Sequence, residues 1–289
     1  MSWYAPSTVA AGLSRDLVTG WTARIEGEHR LLPDGCVDVL WIDDGTVRVC
    51  GPETAAWSFR LPPGTEAVGV RFRPGRAGSV LGFDTADVRD RRVSLDDVLG
   101  SRAQRHLIEQ IGEAADPATR IGVLQGHVRG WLAAAPPKDP VAETVSRMLA
   151  HDIGAPVTAM AEATGLGERQ LHRRCTAAFG YGPATLRRIL RLQRFLRLAR
   201  YPGAPLDLAR LAFAAGYTDQ SHLSRDCRAI ARATGQDEAL PAHEVHRVHT
   251  EALALGDNLR MDGICGPAVG VAEDAPEQER LLAFLGRTP

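Results

Sequence analysis

Cysteine is scarce in this chain, and its placement excludes more than its number does. The five cysteines among 289 residues, Cys36, Cys50, Cys175, Cys227 and Cys265, all stand singly. No Cys-x-x-Cys pair suggests a zinc site, and an odd count argues against a disulfide framework. Cys36 and Cys50 fall on neighbouring predicted strands. A redox pair there competes with ordinary burial as small apolar residues, and nothing nearby in sequence clearly lowers a thiol pKa. Long apolar runs are missing as well: none approaches the ~20 residues that cross a bilayer. The amino terminus lacks a basic segment leading into an apolar core, so a soluble, cytoplasmic protein with no membrane contact is expected. There is no nucleophile elbow, phosphate-binding glycine loop or metalloprotease helix. Asp34, Asp38, Glu53 and Glu66 form no acid/base pair by spacing. No catalytic residue, metal or cofactor is therefore expected, and the chain does not read as an enzyme.

Net charge is also almost absent, at −1, until the chain is divided. Residues 138–235 hold 15 basic and 8 acidic side chains, residues 1–137 hold 15 and 17, and residues 236–289 hold 4 and 10. A basic region between neutral and acidic ones fits nucleic-acid binding confined to one part of the chain. The length allows two domains with cores of their own.

Within the basic region one pattern occurs twice. VTAMAEATGLGERQLHRRCTAAFG begins at residue 157, and LDLARLAFAAGYTDQSHLSRDCRAI ends at residue 230. Each copy has a short apolar-periodic run, a glycine (Gly165, Gly216), and a second helix carrying Leu-x-Arg-x-Cys. Leu171, Cys175 and Ala178 stand at i, i+4 and i+7, as do Leu223, Cys227 and Ile230, giving each second helix one buried stripe. The outer faces carry Arg169, Gln170, Arg173 and Arg174 in one copy and Asp219, Gln220, Ser221 and Arg225 in the other. Helix, glycine turn and helix with a polar, basic outer face is a helix-turn-helix signature. Between the copies a continuous helix is expected from Pro183, a residue suited to a first helical turn, to Arg200. It buries Leu186, Ile189, Leu190 and Leu196, with Arg187, Arg188, Arg191, Arg194 and Arg197 expected on its solvated face. Eighteen residues span about 27 Å, close to the ~34 Å between successive major grooves.

On these residues the chain resembles the AraC/XylS-type transcriptional regulators, in which a long helix joins two helix-turn-helix motifs. The resemblance covers about residues 141–234. It rests on Ala161 and Gly165, on Leu171 and Arg173, and on the run Phe179-Gly180-Tyr181-Gly182-Pro183. It continues through Arg191-Leu192 and Ala212 to Gly216-Tyr217-x-Asp219-Gln220-Ser221-His222-Leu223-x-Arg225. Three departures stand out. Gly167 occupies an N-cap position usually held by Ser, Cys175 and Cys227 replace aromatic core residues, and Arg232-Ala233-Thr234-Gly235 stands where the family has Gly-x-Thr-Pro. Arg and Gln suit bidentate reading of guanine and adenine edges. Arg169, Gln170, Arg173, Asp219, Gln220, Ser221 and Arg225 are thus the candidate base contacts, and Arg174 and His222 the candidate phosphate contacts.

The amino-terminal part reads as strands. CVDVLWID alternates from Cys36, Asp44-Gly45 signals a hairpin, and TVRVC returns, followed by WSFR and AVGVRFRP. Trp3, Tyr4 and Trp21 are expected to pack. Several short strands suggest a small barrel or sandwich, and the family resemblance implies a cupin-like barrel that senses an effector. LPDGCVDVLW with GVRFRPG also resembles the amino-terminal domain of one subgroup of these regulators. Trp41, Trp57, Phe59 and Phe72 are the candidate effector pocket, against an ordinary role in the core. A short helix follows Ala77, Ser94-x-x-Asp97 resembles a capping box, and two amphipathic helices cover residues 102–114 and 117–134. Such helices mediate dimerisation in the family, or pack on their own sheet.

The expected fold class is therefore α+β: a β-rich domain with helices (residues 1–134), a proline-rich linker (135–140), an all-α double helix-turn-helix domain (141–235) and an acidic tail (236–289). His243, His246 and His249 in the tail repeat every three residues and read as exposed rather than metal-binding. The expected function is sequence-specific regulation of transcription on double-stranded DNA, responsive to a small-molecule effector, with RNA polymerase and a second copy of the chain as further partners. A non-specific architectural DNA-binding protein with a weakened second motif is the alternative. The methyl-accepting repair enzymes that share this DNA-binding unit need a clustered four-cysteine zinc site, which scattered cysteines do not supply.

Overall fold

The computed structural model describes residues 4–24, 27–200 and 208–231. Cys265, His243, His246, His249 and the segment 232–235 lie outside the described residues. Eight strands occupy the first third: β1 (Tyr4–Ser7), β2 (Leu17–Arg24), β3 (Glu28–Leu31), β4 (Val37–Ile42), β5 (Val47–Cys50), β6 (Trp57–Arg60), β7 (Glu66–Phe72) and β8 (Arg92–Ser94). Six form an antiparallel sheet in the order β1-β2-β7-β4-β5-β8, and β3 pairs with β6 in a second, two-stranded sheet.

The alternation in β4 sets what each face does. Val37, Val39 and Trp41 point to one side and Asp38, Leu40 and Ile42 to the other. The β4–β5 hairpin turns where Asp44-Gly45 predicts it: Gly45 has φ 83, and Asp44 Oδ1 accepts from the Thr46 amide at 2.9 Å. Leu40 and Ile42 meet Tyr4, Trp21 and Ala67, together with Leu31 and Phe59 from the small sheet. The result is a two-sheet sandwich with a thin apolar centre. Trp21 lies flat on β7, where a Cβ on Gly69 would come within 2.3 Å of its ring.

The other face of the large sheet is covered by helices: α1 (Ala77–Leu81), α2 (Leu95–Leu99), α3 (Ser101–Glu113) and α4 (Pro117–Ala134). Asp116 caps α4 by accepting from the Ala118 and Thr119 amides, with Pro117 just inside. Leu107, Ile111, Leu124 and Val128 are fully buried against Val39, Val70 and Phe72. Of the two roles open to this helix pair, its apolar stripe serves packing on its own sheet. The Ser94 capping box does not form. Gln104 Oε1 instead accepts from both Ser94 Oγ (3.0 Å) and the Asp96 amide (2.9 Å), satisfying a first-turn amide in place of the Ser94 hydroxyl.

The all-α unit comprises α5 (Pro140–His151), α6 (Val157–Thr164), α7 (Glu168–Phe179), α8 (Pro183–Arg200), α9 (Leu208–Ala214) and α10 (Gln220–Ala231). Leu171, Cys175, Phe179, Leu186, Ile189, Phe195, Leu223 and Ile230 share one core. Both motifs turn in the same way. Gly165 and Gly216 hold φ of 67 and 92. Their amides bond Glu162 O and Phe213 O, while the following amides reach Ala161 O and Ala212 O. That is a Schellman turn built twice, and the left-handed glycine is its requirement.

The arginines of α8 are not the solvated face that the sequence suggests. Arg191 is buried, at 7% exposure, and the described others are only half-exposed. Arg187 Nη1 donates to Ala155 O (2.8 Å) and Arg194 Nε to Ala214 O (3.1 Å), so these side chains stitch α8 to the segments beside it. Periodicity marks the apolar face correctly. It does not show that long basic side chains lie along their stems against neighbouring helices.

Candidate nucleic-acid interface

The two recognition helices present their amino-terminal halves to solvent. On α7, Arg169, Gln170, His172, Arg173 and Arg174 are exposed around the buried Leu171 and Cys175. On α10, Gln220, Ser221, Arg225 and Arg228 are exposed around the buried Leu223 and Cys227. Burial pushes both helix cysteines up to about 12, so they act as small apolar packing groups rather than nucleophiles. His172 and Arg228 carry no mark in the sequence pattern, because His172 fills the variable position of Leu-x-Arg-x-Cys and Arg228 lies just beyond it.

The helix starts differ. Gly167 precedes α7 with no side-chain cap, as its lack of a side chain predicts. Asp219, a candidate base contact, uses Oδ1 to accept from the His222 amide at 2.7 Å and so caps α10. The candidate phosphate contacts are also engaged internally. Arg174 Nη2 pairs with Asp139 Oδ1 at 2.8 Å, and Asp139 itself caps α5. His222 Nε2 accepts from Arg191 Nη2 at 3.0 Å, Thr218 Oγ1 lies 2.9 Å from Nδ1, and the ring stands edge-on to Tyr217. At the centre of this group Arg191 Nη2 meets Asp226 Oδ2 at 2.7 Å, and its guanidinium lies 4.4 Å over the Tyr217 ring. The buried pair Arg191–Asp226 thus bolts α8 to α10.

The four aromatics expected to line an effector pocket do not converge. Trp41 and Phe72 lie on the helix-covered face of the large sheet, in its core. Phe59 belongs to the opposite cluster. Trp57 stacks beside it, at 5.2 Å between centroids, with the Arg92 guanidinium 3.2 Å above the Trp57 ring. Period-two alternation separates residues by face, and β4 and β7 send their aromatics away from β6. The acids without catalytic spacing are paired with arginines: Asp34 and Asp38 with Arg71 (3.0 and 2.9 Å), Glu53 with Arg92, and Glu66 with Arg120 (3.1 Å). Burial pushes the thiols of Cys36 and Cys50 up, the latter to about 12, and so keeps them protonated.

One contact surface gives no sequence signal at all. The carboxyl ends of both recognition helices rest on the β-rich half. Thr85 Oγ1 donates to Ala178 O (3.0 Å) and Arg89 Nη1 to Gly180 O (2.9 Å) at the end of α7. The Ala56 amide donates to Ile230 O (2.7 Å) near the end of α10. Gln193 Nε2 ties α8 to Pro33 O at 2.7 Å. Two halves expected to hang on a linker are packed directly together.

Two helix-turn-helix motifs on one shared core, in the basic part of the chain, define a DNA-binding transcription regulator. Residues 160–235 match the family described as a helix-turn-helix domain, and residues 10–94 match a domain of unknown function, DUF6597. Together with the tandem motif, the first match supports the resemblance to the AraC/XylS-type regulators over this part of the chain. No curated protein matches it. Among solved structures it is similar to ToxT from Vibrio cholerae O395, at 10% identity over 73% of this chain and 94% of that one, with a TM-score of 0.37. It is similar also to wild-type ToxT from Vibrio cholerae strain SCE256 bound to an unsaturated fatty acid, at 10% identity over 73% and 91%, with a TM-score of 0.38. So distant a likeness carries no residue-level correspondence. Among the described residues no helix is long and apolar enough to cross a membrane.

Proposed function

We propose that the chain is a sequence-specific regulator whose α7 and α10 enter successive major grooves, and that an effector bound by the β-rich half controls it. The observation that carries this reading is the repeated unit itself. Two 12-residue helices follow identical glycine turns, and each exposes Arg and Gln on its first turns. Arg169, Gln170 and Arg173 read one block of bases, and Gln220, Ser221 and Arg225 read the other. Asp219 acts chiefly as the cap that fixes where α10 begins. Arg174 reaches phosphate by exchanging Asp139 for the DNA backbone, whereas His222 keeps its internal role. The division of labour is residues 1–134 for sensing and 141–235 for DNA, with 135–140 between them.

Selection of bound DNA from a random pool by the full-length protein tests this reading. Two enriched blocks about one helical turn apart are expected, with Arg173→Ala relaxing one block and Arg225→Ala the other. Absence of any enriched sequence would refute specificity and leave an architectural role on DNA.

A further inference from the structure

A cleft of about 290 Å³ lies between the two halves of the chain, where the end of β7 and the residues before β2 face the start of α5. Its walls are strongly basic: Arg15, Arg73 and Arg76 on one side, Lys138 and Arg147 on the other. Much of this charge has no protein counter-ion. Asp16 Oδ1 serves Arg76 (2.6 Å) and Lys138 (3.4 Å) together, and Asp139 is taken by Arg174. Arg73 gives only its Nε, to Ser14 O at 2.8 Å, which leaves its terminal nitrogens free for another partner. Arg15 and Arg147 make no ion pair among the described residues. Glu143 is the one acidic side chain in the wall without a basic partner there. Three guanidinium groups without an ion pair, Arg15, Arg73 and Arg147, thus line one concavity from three separate segments, and Glu143 is the one carboxylate of the wall not already paired.

We propose that this cleft binds a small dianion, either a phosphate ester or a dicarboxylate, and that this is the effector of the regulator inferred above. The inference rests on that reading for the word effector alone; the anion site stands on the cleft. Guanidinium forks bind carboxylate and phosphate bidentately, and a concave basic wall focuses their combined field. The volume is at the low end for small-molecule pockets, which suits a compact, few-carbon anion and not a lipid or dinucleotide. The site also has a route to DNA. Gly75 in its floor sits so close to Phe179 that a Cβ there would come within 2.5 Å of the ring, and Asp139 in its wall holds Arg174. Both Phe179 and Arg174 belong to α7. An anion spanning Arg73 and Arg147 favours the packed arrangement of the halves and shifts the contacts of α7 with it.

The test titrates the full-length protein, without DNA, with glycerol 3-phosphate, with succinate, and with succinamide as the uncharged analogue. Saturable binding of at least one dianion, and none of succinamide, is expected in calorimetry. Arg73→Ala and Arg147→Ala should each weaken it tenfold or more. Arg147 is exposed, so its variant should keep the parent Tm, and Arg147→Lys should restore part of the affinity. Saturating dianion should change the affinity for a selected DNA site about fivefold or more. Failure of both dianions to bind, or binding indifferent to both arginine variants, overturns the site. Anion binding that leaves DNA affinity unchanged overturns the effector role. If Arg15→Ala and Arg147→Ala instead weaken DNA binding and lower its salt dependence by about one ion each, with no dianion bound, the cleft is a DNA-phosphate contact and the proposal is wrong. Dianion binding by a protein that selects no DNA sequence would leave the site standing and remove the regulator reading.

Discussion

Removing the Asp226 carboxylate should damage the protein more than removing both members of its pair. Arg191 and Asp226 are 7% and 8% exposed, and the guanidinium has little access to water once its partner is gone. In Asp226→Ala the arginine keeps the Tyr217 face at 4.4 Å and the His222 nitrogen at 3.0 Å, but no charge opposite it. Breaking a buried ion pair from one side costs about 3–5 kcal/mol. The cation–π contact and the His222 bond are present in parent and variant alike, so they do not offset this loss, and about 3–5 kcal/mol is expected. Against a total stability of about 5–15 kcal/mol, that is a large fraction. Replacing both residues by apolar ones of similar volume, as in Arg191→Met with Asp226→Leu, leaves no uncompensated charge and should cost about 1 kcal/mol or less. Urea denaturation of the full-length single and double variants measures the difference, with selected DNA reporting the block read by α10. A loss below about 1 kcal/mol for Asp226→Ala, or a double variant that costs as much as the single changes added together, would refute the account of this pair as the bolt between α8 and α10.

Four further outcomes follow from the geometry. Asp219→Ala removes the α10 cap and should cost about 1 kcal/mol. Gly167→Asp, at φ −69 and ψ 153 with open space around a new Cβ, should stabilise α7 by a few tenths of a kcal/mol; thermal denaturation ranks both against the parent. Burial pushes the Glu53 carboxyl up to about 8, against the pull of Arg92. The folded chain therefore binds a proton that the unfolded chain has already released between about pH 4.5 and 8, and stability should fall as pH rises through that window. Urea midpoints from pH 5 to 9 should show the decline, and Glu53→Gln should flatten it. Finally, Thr85→Val combined with Arg89→Ala removes the side-chain bonds from the β-rich half to α7. Hydrogen exchange at the end of α7 should rise by tenfold or more while the sheet keeps its protection, and unchanged exchange would mean these bonds do not hold the halves together.

The parts that were legible in the sequence are those governed by local periodicity. Leu171, Cys175, Leu223 and Ile230 are buried because a helix that places Arg173 and Arg225 outward must turn these residues inward. The glycines at 165 and 216 announce their turns because only a left-handed residue closes them. β2 shows the opposite case. LVTGWTAR is buried on both faces, one under α4 and the other under the small sheet, so it has no polar alternation to reveal a strand. The roles of Arg191, Asp219 and Gln104 were hidden for a different reason. Each depends on which partner a long or polar side chain finds from another segment, and residue spacing within one helix does not carry that information. The aromatic quartet failed on geometry: Trp41 and Phe59 share a composition signal but not a side of the sheet.

The contacts between the halves change where coupling must be sought. A linker of proline and alanine suggests that any signal passes through residues 135–139. The structure offers a shorter path. The segment 51–56 and the turn preceding β8 are joined by Asp90, whose carboxylate accepts from the Thr54 amide (2.7 Å) and hydroxyl (2.8 Å), and by the Glu53–Arg92 pair. Gly51 packs so tightly on Val88 that no side chain fits between them. This one piece bonds the end of α7 through Thr85 and Arg89, and reaches α10 through Ala56. The Arg89 cation sits at a helix carboxyl end, where the helix dipole favours positive charge. Because the same piece bonds both recognition helices, a shift of the sheet edge moves them together and does not disturb one alone. An effector that alters this piece would therefore act on both blocks of DNA contacts at once.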